Sequence, residues 1–380
     1  MTSTAVDRRL LLAVAGADGV LEVVEFLLPL WAGAALGVSA AVAGALLAIQ
    51  TAASLVARPW AARVVDRAAR GTVAGSATLL MALAMVGYAV AATTAVAVAV
   101  AAAAATGVGM ALFHTAVLAH VADRDPSPRG YGRLLSFESR GALVAFTVVF
   151  LVLDQVDYSV LFLGFAAVFA MAYTLIRLAR LPDGAGRSAV ADPPARLTRA
   201  LLPVAVLVLV TTAARALLLL LVLLRLQRHF GLSVRDVGLV MAPGFLVFVA
   251  ASTLAHRVTA WLGRRWTLVV MLMLIGVTAA VLAAADSVIG LAVGWTAAAA
   301  GFAASIPVER SLIATISGTR AGHGFGIQGA AAVAGAVLGS AAAGALYGAT
   351  GWAVACAVTV AVVLVALAFV PSATASPEVA

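Results

Sequence analysis

Three carboxylates, Asp18, Glu22 and Glu25, punctuate the apolar stretch GADGVLEVVEFLLPLW between Gly16 and Trp31. Their i, i+4, i+7 spacing gathers them within roughly 60° of arc on a helix, in a stripe rising about 10 Å. Carboxylates this close cannot all stay ionised in a low-dielectric setting, because desolvation and mutual repulsion both favour the protonated acid. One chemistry open to such a stripe is proton coupling, with an acid loaded from one side and unloaded on the other. The other is static neutralisation, with Glu22 or Glu25 paired to Arg140 or Arg215 to hold helices together.

Further ionisable groups lie inside apolar runs: His114, Glu138, Arg140, Arg215, Glu309 and Arg310. A charge at the centre of a membrane-spanning helix costs on the order of 3 kcal/mol, so each needs a reason. Arg215 suits an anionic substrate group or an acidic partner. Glu138 and Arg140, and the adjacent Glu309 and Arg310, form mixed-sign clusters. Neighbouring residues point about 100° apart on a helix, so Glu309 and Arg310 must pair across helices or meet substrate. His114 could relay protons near neutral pH, or pack as a hydrogen-bonded side chain.

The elements that must position these residues follow from composition. Of 380 residues, 64% are hydrophobic and 11% charged, with a mean hydropathy of +1.12. Soluble domains are about half apolar and about a quarter charged. Apolar runs of about 20 residues recur, each long enough to cross a hydrocarbon core of roughly 30 Å as a helix. The alternation a membrane barrel needs is absent. The expected fold is an all-α membrane protein with twelve transmembrane helices. The spans fall at 10–31, 40–57, 72–93, 96–121, 132–153, 158–179, 200–224, 236–255, 266–285, 289–313, 323–347 and 351–370.

Other classes drop out. The formal charge is +8, but every one of the 24 basic residues is Arg. A Walker A loop needs its Lys, so the chain has no such nucleotide site. The arginines sit between spans and set topology, and no nucleic-acid partner is expected. The single cysteine, Cys356, excludes a disulfide within the chain, and neither HExxH nor GxSxG occurs. The expectation is therefore a non-enzyme without cofactor or bound metal, drawing on a proton gradient. The first apolar run continues through Trp31, which fits a spanning helix better than a cleaved leader.

With twelve alternating spans, Arg8, Arg9, the groups at 58–70, 124–133, 177–199 and 257–265, and Arg320 fall on one face. Arg225, Arg228 and Arg235 alone fall on the other. The positive-inside rule makes the Arg-rich face, with both termini, cytoplasmic in a plasma (inner) membrane. The segment 181–199 reads as a linker between bundles at 1–180 and 200–371, with a tail at 372–380.

A repeat runs through both halves. LGVSAAVAG (36–44) matches FGLSVRDVG (230–238), RVVDRAAR (63–70) matches RVTAWLGR (257–264), GYG (130–132) matches GFG (324–326), and Gly107 matches Gly301. Every pair is offset by 194 residues. Parallel repeats of six helices imply a pseudo-twofold axis along the membrane normal.

On these features the chain resembles the major facilitator superfamily (MFS). RPWAARVVDRAARG, after the second span, looks like that family's loop motif Gly-x-x-x-Asp-Arg-x-Gly-Arg-Arg. Asp66, Arg67 and Arg70 match it, with alanines at 62 and 69 in place of glycines. In the second half Gly263, Arg264 and Arg265 match, and Ala260 replaces the Asp. The resemblance implies a gating role for this loop, its Asp near the start of the eleventh span. It also implies that spans 1, 4, 7 and 10 line the central path.

The expected function is secondary active transport by alternating access. The leading reading is proton-coupled export of small amphipathic or cationic compounds, on an efflux-like branch. Drug–proton antiporters of the family usually carry an Arg in the fourth span and Gly-Pro in the fifth, and this chain has neither. The alternative is a proton symporter or uniporter taking up a small zwitterionic or anionic metabolite, and a non-transporting sensor or scaffold is a third reading. The expected partners are the lipid bilayer and a small-molecule substrate, with the chain acting as a monomer.

Overall fold

The computed structural model describes residues 7–91, 95–153, 155–179 and 195–375. They are almost wholly α-helical. In chain order the helices are α1 (Arg8–Ala35), α2 (Ala40–Arg67), α3 (Arg70–Ala91), α4 (Val96–Arg124), α5 (Pro128–Val152), α6 (Tyr158–Leu178) and α7 (Ala195–Leu224). There follow α8 (Val234–Ala283), α9 (Val288–Ser317), α10 (Ala321–Ala349) and α11 (Trp352–Thr374). A π-helical turn, Arg225–His229, extends α7. Most of the expected linker 181–199 lies outside the described residues, as does 376–380 of the expected tail.

The repeated motif LGVS/FGLS builds the same local structure twice. Gly37 and Gly231 both take the left-handed conformation, at φ 62 and 64. Two residues later Ser39 and Ser233 cap α2 and α8, each hydroxyl accepting a backbone N–H of the first turn, from Val42 and Asp236. A Ser at this position satisfies one of the orphan donors of a helix start.

Two boundaries depart from the sequence expectation. The second span was expected to end at residue 57, yet α2 continues to Arg67. Pro59 does not stop it, and the basic residues beyond are compatible with a helix leaving the membrane. Expected spans 8 and 9 meet without a loop, as two arms of α8 joined at Gly263, whose φ of 77 and ψ of 163 are not helical.

Nine stretches among the described residues are long and apolar enough to cross a membrane by length and composition. α1 is not one of them, because every 18-residue window inside it contains Asp18, Glu22 and Glu25. The acids that suggest function are the ones that weaken its apolar signature.

The chain forms two compact units. The first is Met1–Asp125, Phe137–Asp192 and Thr319–Gly329. In it α2 and α3 pack on α4, while α3 and α1 pack on α6. Trp31, Tyr88 and Phe162 fill its core, with ring centroids 5.1–5.4 Å apart. The second is Pro126–Ser136, Pro193–Gly318 and Ala330–Ala380. There α8 packs on α9 and α11, and α7 packs on α11 and α9. Each unit thus takes in a short segment from the opposite half of the sequence: the start of α10 in the first, the start of α5 in the second.

The 194-residue offset recurs in the packing. A Cβ on Gly141 of α5 would overlap the carbonyl oxygen of Ala15 on α1. A Cβ on Gly335 of α10 would overlap that of Leu209 on α7. The same holds for Gly132 against Ser252 O, and Gly326 lies against Arg58 O. Within a bilayer, where burying apolar side chains drives little association, such close backbone approach is a principal source of helix cohesion.

Candidate proton and gating sites

In the first unit α1 and α4 bring together two of the sequence candidates. Nε2 of His114 lies 2.7 Å from Oδ1 of Asp18. Asp18 is 7% exposed, and its Oδ2 is buried with no hydrogen-bond partner. Gly19 makes the approach of α5 possible next door, since a Cβ there would collide with the backbone of Gly141. Glu22 and Glu25 are exposed, and Glu25 is an electrostatic neighbour of both Glu22 and His114. The stripe is thus graded, with one acid sealed on an imidazole and two open to the surroundings. An open carboxylate on a spanning helix is costly against lipid and cheap against water.

The buried acid of the stripe is Asp18, and its partner is His114. Arg140 lies over the face of Phe137, 5.7 Å from the ring centroid, and Glu138 is half-buried on the same helix.

Arg215 belongs to the second unit. There Glu309 on α9 is 4% exposed and has Thr211 and Arg215 of α7 and the adjacent Arg310 as neighbours. Its Oε1 has no hydrogen-bond partner. Each unit therefore holds an acid–base neighbourhood between two of its helices, Asp18 on α1 with His114 on α4, and Glu309 on α9 with Arg215 on α7.

The loop residues separate into two groups. Asp66, at the end of α2, accepts the backbone amide protons of Gly322 (2.7 Å) and His323 (2.9 Å), in the first turn of α10. A carboxylate there satisfies two orphan N–H groups and complements the helix dipole. Arg70 does something else. Its side chain is 2% exposed and forms an ion pair with Asp123 near the end of α4. At the equivalent position Arg264 donates from its Nη1 to Thr315 Oγ1 at 3.1 Å, linking α8 to α9. Arg70 and Arg264 thus hold neighbouring helices of one unit together. Arg67 is exposed, Arg265 lies over the ring of Trp266, and Gly263 makes the bend between the arms of α8.

Two residues escaped the sequence reading. Asp123 sits just past the expected end of the fourth span at 121 and was not among the candidates. Arg58 was grouped with the topology-setting arginines, but α2 runs on beyond it and leaves it 5% exposed. The signal available for Arg58 was the lack of a helix stop between Pro59 and Arg67.

Three comparisons bear on these sites. A model of the Major Facilitator Superfamily matches residues 204–379. No curated protein matches the chain. Among solved structures, the E. coli fucose:proton symporter FucP aligns with a TM-score of 0.77 at 15% identity, over 97% of each chain. A bacterial homologue of the iron transporter ferroportin aligns at 0.74 with 16% identity, over 97% of this chain and 99% of that one. The proton:xylose symporter XylE aligns at 0.72 with 17% identity, over 95% and 93%. Residues 204–379 thus match the Major Facilitator Superfamily model, and the chain as a whole shares its fold with FucP and XylE.

Proposed function

We propose that the chain is a proton-coupled secondary transporter working by alternating access, with the Asp18–His114 pair as its proton-binding element. The observation that carries this reading is the 2.7 Å contact between a buried carboxylate and an imidazole on two spanning helices. The Asp18 carboxylate with a neutral His114 can take up one proton to become the carboxylate–imidazolium pair and release it again without large movement, and the exposed Glu22 and Glu25 continue the acidic path along α1.

The acidic face favours a cationic or amphipathic substrate exchanged for protons, hence export. A second reading is symport of a small zwitterionic or anionic metabolite. It is favoured by the Arg215–Glu309–Arg310 neighbourhood in the other unit and by the similarity to proton symporters of fucose and xylose.

In this reading the two arms of α8 are separate crossings, and α9 and α10 are two more. That gives twelve spans in two six-helix halves, 1–180 and 200–371, with both termini cytoplasmic in the inner membrane. No cofactor beyond the proton gradient is invoked, and the monomer is the working unit.

The test begins with a ligand thermal-shift screen of the purified chain, repeated with Glu22→Gln and Arg215→Ala. Hits are then added to inverted vesicles carrying a pH-sensitive dye. Alkalinisation of the lumen supports antiport, and co-movement of proton and substrate supports symport. Substrate movement with no proton flux in either direction would sink the coupled reading.

A further inference from the structure

Along the start of α10, Gly322, Gly326 and Gly329 form one face, and α2 lies across it within the first unit. Gly322 meets Asp66 and the carbonyl of Ala62, Gly326 meets the Cβ of Ala62, and Gly329 meets Arg58. A Cβ on Gly329 would overlap the guanidinium, so this cation lies close against α10. The two ends of the seam carry opposite charges in opposite situations.

At the Asp66 end, the carboxylate is matched by two amide protons and by the positive pole of a helix. At the Arg58 end, the residue is 5% exposed and its Nε is buried with no hydrogen-bond partner. No carboxylate among the described residues pairs with it. Taking a charge largely out of water without a partner is unfavourable, as when one member of a buried pair is removed. One end therefore favours the closed seam and the other opposes it.

The repeat shows that this arrangement is not simply what the fold requires. The equivalent seam of the second unit sets Gly132 of α5 against the carbonyl of Ser252 on α8. The positions 194 residues beyond Arg58 and Asp66 are Ser252 and Ala260, and neither is charged. The position equivalent to Gly322 is Pro128, which has no N–H to donate. The backbone contact is kept in both seams, whereas the two opposed charges are found in one.

We propose that Arg58 is a positioning residue that acts through the Asp66 latch. Its desolvated charge offsets the capping of α10, so that the seam can open on the time scale of a transport cycle rather than lock. Opening would hydrate the guanidinium and release the amides of Gly322 and His323 together. The proposal takes its purpose from the transporter reading, but its test needs no substrate and no transport.

Those two amides report on the seam, because in the closed form Asp66 is their acceptor. Hydrogen–deuterium exchange of peptides covering residues 318–330 is measured on the purified full chain in detergent. Arg58→Met, similar in length and uncharged, is expected to slow exchange there at least about tenfold, the scale of relieving one buried charge. Arg58→Lys should stay close to wild type, and Asp66→Asn should exchange faster. Peptides from α3 and α4 serve as the folding control. Should Arg58→Met fail that control, Arg58→Gln is read in its place, with the same slowing expected. Exchange at 318–330 as fast as wild type in the uncharged variant would overturn the proposal. So would equal slowing in Arg58→Lys, which would make packing rather than charge the agent.

Discussion

Oδ1 of Asp18 and Nε2 of His114 stand 2.7 Å apart and join α1 to α4 inside one unit. Asp18→Asn keeps the size and polarity of the side chain while removing its exchangeable proton. Proton-coupled flux of any hit from the ligand screen should fall at least about tenfold, which corresponds to about 1.4 kcal/mol of coupling. The remaining flux should lose its pH dependence, and the melting temperature should change little. His114→Gln should also flatten the pH profile but spare part of the rate, because the carboxylate remains. A pH profile of wild-type shape in both variants would place the coupling elsewhere.

The Glu309 neighbourhood calls for a different measurement, since it reads as a matched set of charges rather than an open one. Glu309 is 4% exposed and beside Arg215. Removing Arg215 alone should destabilise by several kcal/mol, because the buried Glu309 is left behind, whereas removing Glu309 alone should cost less, because Arg215 is only half-buried. The double variant Glu309→Leu with Arg215→Met should recover part of that loss. A coupling of at least about 1 kcal/mol between the two positions, from thermal or denaturant unfolding of the four proteins, would establish the pair. Strict additivity would argue that each meets a separate partner.

The glycine contacts predict symmetric damage. Gly141→Ala and Gly335→Ala each place a methyl group on a carbonyl oxygen, of Ala15 and of Leu209. Each should lower stability by about 1–3 kcal/mol, the usual range for overpacking. Gly44→Ala, where nothing lies within 4 Å of the added Cβ, is the control and should behave as wild type in the same melting assay.

Much of this was legible in the sequence, because each signal was local. Helical spacing gathered Asp18, Glu22 and Glu25 on one stripe. The 194-residue offset anticipated equivalent helix starts, which the structure realises as Gly37 with Ser39 and Gly231 with Ser233. Gly335 and Gly339 stand in GxxxG spacing, a local signature of close helix approach, and both lie against the backbone of α7, at Leu209 and Ala213. The pairings were not legible, because they are tertiary. Nothing in the apolar surroundings of His114 pointed to Asp18, 96 residues earlier, or in those of Arg70 to Asp123. Arg58 was misjudged for a different reason: hydropathy marks where a chain stops being apolar, whereas the helix continues while its backbone hydrogen bonds and packing do.

Gly263 shows the same distinction at a turn. It matches a motif position by type, but the reason it must be glycine appears only in its backbone, at φ 77 and ψ 163 between the arms of α8. That region is close to forbidden for a residue with a Cβ, at a cost of order 1–3 kcal/mol. Space is not the constraint, since nothing lies within 4 Å of an added Cβ. Gly263→Ala should therefore act through the bend alone. The expected result is a lower melting temperature, with weakened anchoring of the second arm where Arg264 donates to Thr315. Thr315→Val removes that hydrogen bond without touching the bend. In the Gly263→Ala background it should cost less than in wild type if the bend is what presents Arg264. Equal cost in both backgrounds would show that the two features are independent.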